Sequence, residues 1–260
     1  DGMAPKSVRN IHGILTKCLS TAVSVEYIRD NPASRVTLPR VEKKEIHPLT
    51  DEQVKDFLRV SAGDEYEILL KVILFTGLRE SEAIGLTWDC VDFKAGTVKV
   101  CKQLQKRPLS DGGFTFAPLK NDKTRTLRPA PFVLELLERR KREQAEQRLK
   151  AWELWVGWQT TDQQKSALVF TTATGSNLSP QTVYNHYKKL ASQIGAPDSR
   201  VHDLRHTFAV LSLQNGDDVK TVQGNLGHAT AAFTLDVYGH VSERMKEDSA
   251  ARMQEYISNL

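Results

Sequence analysis

Cysteine is scarce in this chain. Only Cys18, Cys90 and Cys101 occur, at irregular spacing, which builds neither a disulfide framework nor a paired-cysteine zinc site. Long apolar runs are missing too. Ile68-Leu69-Leu70 and Val72-Ile73-Leu74-Phe75 are separated by Lys71, far short of the roughly 20 residues that span a bilayer. No charged segment followed by an apolar run opens the chain, as a secretory leader would. Repeats and low-complexity tracts are also lacking. These absences argue against a secreted, membrane or zinc-ribbon protein, and a reduced cytoplasmic setting is expected.

What is there reads as an ordinary globular protein: 260 residues, 40% hydrophobic and 26% charged, enough for one large domain or two of ordinary size. Thirty-six Lys and Arg against 32 Asp and Glu leave a net charge of +4, which permits a polyanionic partner without requiring one. The positive charge is clumped, with Lys120, Lys123, Arg125 and Arg128 in one cluster and Arg139–Arg142 in another. Taken alone, the second run reads as a solvated helix face.

Apolar residues at Val8, Ile11, Leu15, Leu19 and Val23 predict a helix from Pro5 to about Asp30, stopped by Asn31-Pro32. Residues 36–48 lack periodicity and hold two prolines, so they read as a linker. Thr50-Asp51-Glu52-Gln53 is a capping-box signature that opens a new domain. The expected division is thus a helical segment with its linker at 1–46 and a second domain at 47–260. Helices are expected at roughly 51–60, 65–76 (ended by Gly77) and 79–86. A hairpin is expected around Lys94-Ala95-Gly96, with a third strand at 124–127. A long helix is expected from Phe132 to about Trp158, then helices from Ser179-Pro180 onward, broken at Gly195, Gly216 and Gly227. The expected class is mainly α with a small antiparallel β-sheet, an α+β fold.

Three patches concentrate chemistry: Thr76–Ala83, His202–His206, and Leu226-Gly227-His228 followed by Tyr238. Four of the seven histidines lie between 202 and 240. Singly, each has an ordinary explanation. Arg79 can pair with Glu82 on a helix, His202 and Arg205 can be a surface or capping pair, and Tyr238 can be a core residue. Together, two arginines, a lysine, two histidines and a tyrosine are what metal-free attack on a phosphodiester requires. Guanidinium groups offer a permanent planar charge to non-bridging oxygens. A lysine can protonate a leaving 5′-oxygen. A tyrosine with a free pKa near 10 needs a neighbouring base or cationic field to attack near neutral pH.

The order Arg…Lys…His-x-x-Arg…Gly-His…Tyr, carried by TGLRESEAIGL (76–86), LKNDKTRTLRPAP (119–131), HDLRHTFA (202–209) and LGHATAAFTLDVYGH (226–240), resembles the tyrosine recombinases, especially integrases of phages and conjugative transposons. The resemblance implies that family's catalytic fold over 47–260, preceded by a partial helical core-binding segment. The family usually carries more helices ahead of the catalytic part, so a piece of a longer integrase is expected, its opening Asp1-Gly2-Met3 looking like a junction.

Carried over, the resemblance implies that Arg79 and Arg205 grip the scissile phosphate and that Lys120 protonates the 5′-oxygen, with Lys123 close by and equally cationic. His202 acts as base or acid, and His228 hydrogen-bonds a non-bridging oxygen. Glu82 orients the site, and Tyr238 attacks to leave a 3′-phosphotyrosyl link. The implied activity is site-specific strand exchange, as in integration or excision, without metal, cofactor or ATP. Implied partners are double-stranded DNA at attachment or core sites, a homo-tetramer joined through the C-terminal helix, and accessory DNA-bending or excision factors. Lys6, Arg9, Lys17, Arg35, Arg40, Lys43, Lys44, Lys123 and Arg125 are expected to meet DNA. Three rival readings stand beside this one. A type IB topoisomerase would use the same chemistry to relax supercoils. A metal hydrolase would use His202 and His206, with Asp203 where HExxH has Glu. A DNA-binding regulator would have no catalytic use for these side chains.

Overall fold

The computed structural model describes residues 2–41, 47–108, 110, 113–119, 123–227, 250–251 and 253–259. The chain divides into two compact units, Asp1–Glu45 and Ile46–Leu260. In the first, helix α1 (Pro5–Ser24) starts on a proline, which suits a first turn because its missing N–H has no partner there anyway. It ends short of the expected Asp30, because Glu26 takes a left-handed φ of 62° and turns the chain. Asn31 then fastens the return. Its amide donates to the Thr16 carbonyl at 2.9 Å, and its Oδ1 accepts from Ala33 N–H at 3.0 Å, opening a 3₁₀ turn over Pro32–Arg35. No residue of α1 is buried.

In the second unit, the Thr50–Gln53 capping box forms as the sequence predicts and opens α2 (Asp51–Val60). Helix α3 (Glu67–Thr76) is buried on nearly every side, as expected of an apolar run too dense for one stripe. It ends at Gly77, whose φ of 65° gives the left-handed cap. The short α4 (Glu80–Ile84) follows, with Arg79 at its N-cap. Helices α5 (Pro131–Ala151), α6 (Thr161–Lys165), α7 (Pro180–Gln193), α8 (Val201–Gln214) and α9 (Val219–Leu226) follow. Residues 250–251 and 253–258 are also helical. The core gathers Phe57, Leu70, Leu74, Ile84, Leu137, Val169, Val183, Tyr187 and Leu204, and a smaller cluster of Ala209, Val210, Leu213, Val222 and Leu226 joins α8 to α9.

The expected hairpin forms from β1 (Val91–Asp92) and β2 (Thr97–Val100), with Asp92 opposite Thr97. Strand β5 (Arg125–Leu127) pairs antiparallel on the other edge of β2, Val98 opposite Leu127. A second hairpin, β3 (Gln103–Lys106) against β4 (Phe114–Ala117), was not legible in the sequence. Of those eight positions only Leu104 is buried, and β3 (Gln-Leu-Gln-Lys) carries a single apolar residue, too little to mark a strand by itself. The long helix also ends earlier than its polar pattern suggests, where Trp152 adopts a φ of 47° and the chain enters a 3₁₀ turn.

The Arg139–Arg142 run is not simply a solvated face. Arg140 is 6% exposed, and its guanidinium donates to the carbonyls of Val169 (3.0 Å) and Thr171 (3.3 Å), while Arg139 pairs with Glu67 at 2.8 Å. Consecutive residues point about 100° apart around a helix, so one of four must turn toward whatever lies beneath.

Candidate active site

Arg205 is the pivot of the site. It lies in the second turn of α8, 1% exposed, with its guanidinium wedged between the ends of two other helices. One terminal nitrogen donates to the carbonyl of Gly77 at 2.6 Å, and the other donates to the carbonyl of Leu226 at 2.5 Å. Both acceptors belong to C-terminal turns, of α3 and α9, where carbonyls lack helical partners and the helix dipole is negative. A buried cation costs several kcal/mol unless compensated, and two helix C-termini supply that compensation. The same contacts draw together three of the four motif-bearing stretches: the loop leading to Arg79, the His202–His206 turn, and the cap before His228.

Gly77 makes this approach possible. A Cβ placed there would sit 2.5 Å from Phe208 Cδ1 and 2.7 Å from Leu226 Cδ2, at a φ that penalises any side chain. Gly77→Ala is expected to destabilise the fold by about 2 kcal/mol and lower Tm by roughly 4–8 °C, read in a thermal melt.

Arg79 is half-buried at the N-cap of α4, held by Glu82. Its guanidinium donates to Glu82 Oε1 at 2.7 Å and its backbone N–H donates to Oε2 at 2.9 Å. Glu82 is 2% exposed and also receives Arg125, whose terminal nitrogens lie 2.7 Å from Oε2 and 3.2 Å from Oε1. Burial alone would raise the Glu82 pKa, but the hydrogen bond and charge of Arg125, then the Arg79 N–H and charge, bring it down to about 2. Glu82 therefore stays ionised at any working pH.

Its neighbour Glu80 is the opposite case. Burial pushes its pKa up to about 7, and its buried Oε1 has no hydrogen-bond partner among the described residues. Between pH 4.5 and 7 the folded chain keeps a proton that the unfolded chain has released, so this residue lowers stability as pH rises through that window. Glu80→Gln is expected to be more stable than the parent by about 1 kcal/mol at pH 8 and by nothing at pH 4, in paired urea titrations.

His202 occupies the first turn of α8 with its ring exposed to solvent, crossing the buried His206 ring edge-on at 4.8 Å. Although water reaches one side, the crowding atoms around it and then the charges of Arg205, Arg79 and Arg200 lower its pKa. The imidazole is thus neutral at pH 7 and able to accept a proton. His206 is driven lower still, to about 4, mainly by burial. Asp203 turns back to Arg200, accepting from its N–H at 2.9 Å and from its guanidinium, and so caps α8. An HExxH reading fails on this point, because the residue in the catalytic Glu position is engaged locally.

Lys120, His228 and Tyr238 lie outside the described residues, as do Lys43 and Lys44. Lys6, Arg9, Lys17, Arg35, Arg40 and Lys123 are all exposed. Arg9 Nε donates to the Pro39 carbonyl at 2.8 Å and Arg35 pairs with Asp30. Arg125 is placed differently from these. Its side chain is 10% exposed and turned inward to Glu82 and to the Asn225 carbonyl at 2.7 Å.

The Phage integrase family model matches residues 41–245. A "Tyrosine recombinase XerC-like" protein of Caldanaerobacter subterraneus subsp. tengcongensis is 25% identical over 267 residues, covering 98% of this chain and 67% of that protein. The ICEBs1 integrase of Bacillus subtilis strain 168 is 26% identical over 263 residues, with the same two coverages. The chain thus spans about two thirds of the length of these relatives. Among solved structures, the Tn1549 transposon integrase in complex with a circular intermediate DNA superimposes with a TM-score of 0.77 at 22% identity, covering 98% of this chain and 80% of that one. That likeness extends over the mostly helical fold with its small antiparallel sheet. With the family model spanning four-fifths of its residues, the chain belongs to the phage integrase family, the tyrosine-type site-specific recombinases.

Proposed function

We propose that this chain cuts and rejoins double-stranded DNA by transferring one strand to Tyr238, leaving a 3′-phosphotyrosyl link and a free 5′-hydroxyl. The observation that carries this reading is the Arg205 anchorage. It sets a permanently charged fork beside Arg79 and the neutral His202, at the end of the helix that leads to His228. Arg79 and Arg205 bind the non-bridging oxygens of the phosphate, where negative charge grows during attack. His202, neutral at pH 7, exchanges a proton with Tyr238 or the phosphate, and Lys120 protonates the departing oxygen. His228 adds a hydrogen bond. The ester energy stays in the tyrosyl link, so the reverse attack reseals the strand without ATP, and positive side chains take the place a metal would fill.

The exposed Lys6, Arg9, Lys17, Arg35, Arg40 and Lys123 supply backbone contacts, joined by Lys43 and Lys44, so binding weakens as salt rises. In the C-terminal segment, Met253, Tyr256 and Ile257 are 59%, 62% and 55% exposed, an apolar helical face fit to dock on a neighbouring protomer in a tetramer. Accessory bending or excision factors would act on the DNA around that assembly. DNA binding by the Tn1549 integrase agrees with this choice of partner.

The test is a duplex carrying an attachment site nicked just beyond the scissile phosphate, so that the released fragment diffuses away and the adduct is trapped. A protein–DNA band surviving SDS is the expected result. Cleavage that leaves only free ends, or that needs an added divalent metal, overturns the proposal. Relaxation of a supercoiled plasmid with no strand exchange between two sites moves it to a topoisomerase.

A further inference from the structure

We infer that Arg125 is a positioning residue for strand cleavage, and that its role is to hold Glu82 and the end of α9 rather than to touch DNA. The inference rests on the recombinase reading above but adds a group that the expected catalytic set lacks. Three observations carry it. First, the guanidinium spans both oxygens of Glu82, at 2.7 and 3.2 Å, and Glu82 in turn grips the side chain and N–H of Arg79. Second, its Nε donates to the carbonyl of Asn225 at 2.7 Å, next to the Leu226 carbonyl held by Arg205. Third, it packs beneath Gly227, where a Cβ would meet Arg125 Nη1 at 3.0 Å.

The geometry makes Arg125 a strut between two parts of the site. Two adjacent carbonyls at the end of α9 are each taken by a different arginine. One clamp is Arg205, which lies beside the phosphate position. The other is Arg125, which reaches back to the carboxylate that orients Arg79. Gly227, at a φ of 63°, then launches the chain toward His228 from a point fixed on both sides. Only a planar fork with a separate Nε–H can serve a bidentate carboxylate and a carbonyl together. A lysine supplies one charge and cannot do both. With 10% of the side chain exposed, little of it is left for a DNA phosphate.

The test compares the full chain with R125K and with E82Q, singly and together. Cleavage of the nicked duplex is measured in single turnovers at saturating DNA, and affinity is measured separately by fluorescence anisotropy. R125K is expected to slow cleavage roughly 10- to 100-fold with little change in affinity, because a displaced Arg79 costs rate more than binding. E82Q should do the same, and the double variant should be no slower than the worse single one, as for residues in one chain of contacts. A second readout needs no activity. In carbon-13 spectra of glutamate-labelled protein, with E82Q assigning the resonance, the Glu82 carboxylate of the parent should stay ionised through pH 4, whereas in R125K it should titrate at higher pH.

A parent chain that forms no adduct sinks the recombinase reading, while the titration still decides what Arg125 holds. An R125K chain with weakened affinity and full cleavage at saturation makes Arg125 a DNA contact and overturns the inference. So does an unchanged Glu82 titration, or additive losses in the double variant. Should R125K not fold, E82Q alone carries the test: loss of cleavage at unchanged affinity supports the strut, and full activity overturns it.

Discussion

Arg205→Ala is expected to abolish cleavage and to destabilise the fold at the same time. The side chain is 1% exposed and donates to the carbonyls of Gly77 and Leu226, at two helix ends. Truncation leaves both acceptors buried and opens a void of guanidinium size, a loss of about 3–5 kcal/mol and a Tm lower by roughly 6–20 °C. Adduct formation should fall by at least about 1,000-fold, since one donor to a developing anion is already worth roughly 100- to 1,000-fold. Arg205→Lys separates the two effects. It keeps the charge but offers a point donor in place of a fork, so it should recover part of the stability and little of the rate. Urea unfolding and single-turnover cleavage read the two losses. A lysine variant with near-parental cleavage would show that charge alone suffices and that the carbonyl anchorage is incidental.

Tyr238→Phe is expected to remove the covalent adduct altogether. The substitution deletes one oxygen and keeps the ring, so folding and DNA affinity should stay close to those of the parent. The proposed reaction needs that oxygen as its nucleophile, and the expected loss exceeds about 10,000-fold. Three readings part company here. In a hydrolytic enzyme the nucleophile is water, and cleavage would survive. In a DNA-binding regulator nothing measurable would change. In a recombinase or topoisomerase the SDS-resistant band vanishes while the non-covalent gel shift persists. Mixing the Phe variant with an Arg205→Ala chain adds information on assembly, because restored cleavage would require a tyrosine donated between protomers.

The pH behaviour follows from the same pocket. His206, with a folded pKa of about 4, and His202, also lowered, are neutral in the folded chain and take up protons on unfolding below pH 6.5. Both therefore contribute stability that declines as pH falls from about 6.5, completely for His206 by about pH 4. Glu82 holds out longer, its contribution being lost progressively from about pH 4.5 and gone by about pH 2.

Much of this protein is local and could be read from the chain. Thr50 and Gln53 announce the start of α2, Gly77 ends α3, and the order of Arg79, His202, Arg205, His228 and Tyr238 points to phosphoryl transfer to a tyrosine. Each of those signals depends on residues a few positions apart or on the identity of single side chains. What only the tertiary structure decided is who faces whom. Arg125 has the composition of a surface cation, yet it closes on Glu82, 43 residues away, and on Asn225, 100 away. Arg205 finds Gly77 across 128 residues. The second hairpin, with only Leu104 buried, is likewise invisible until it is paired. A guanidinium on a strand or helix carries the same sequence signal whether it meets water, DNA or a helix end. Its partner is fixed only when the core packs and leaves a particular carbonyl or carboxylate without a donor.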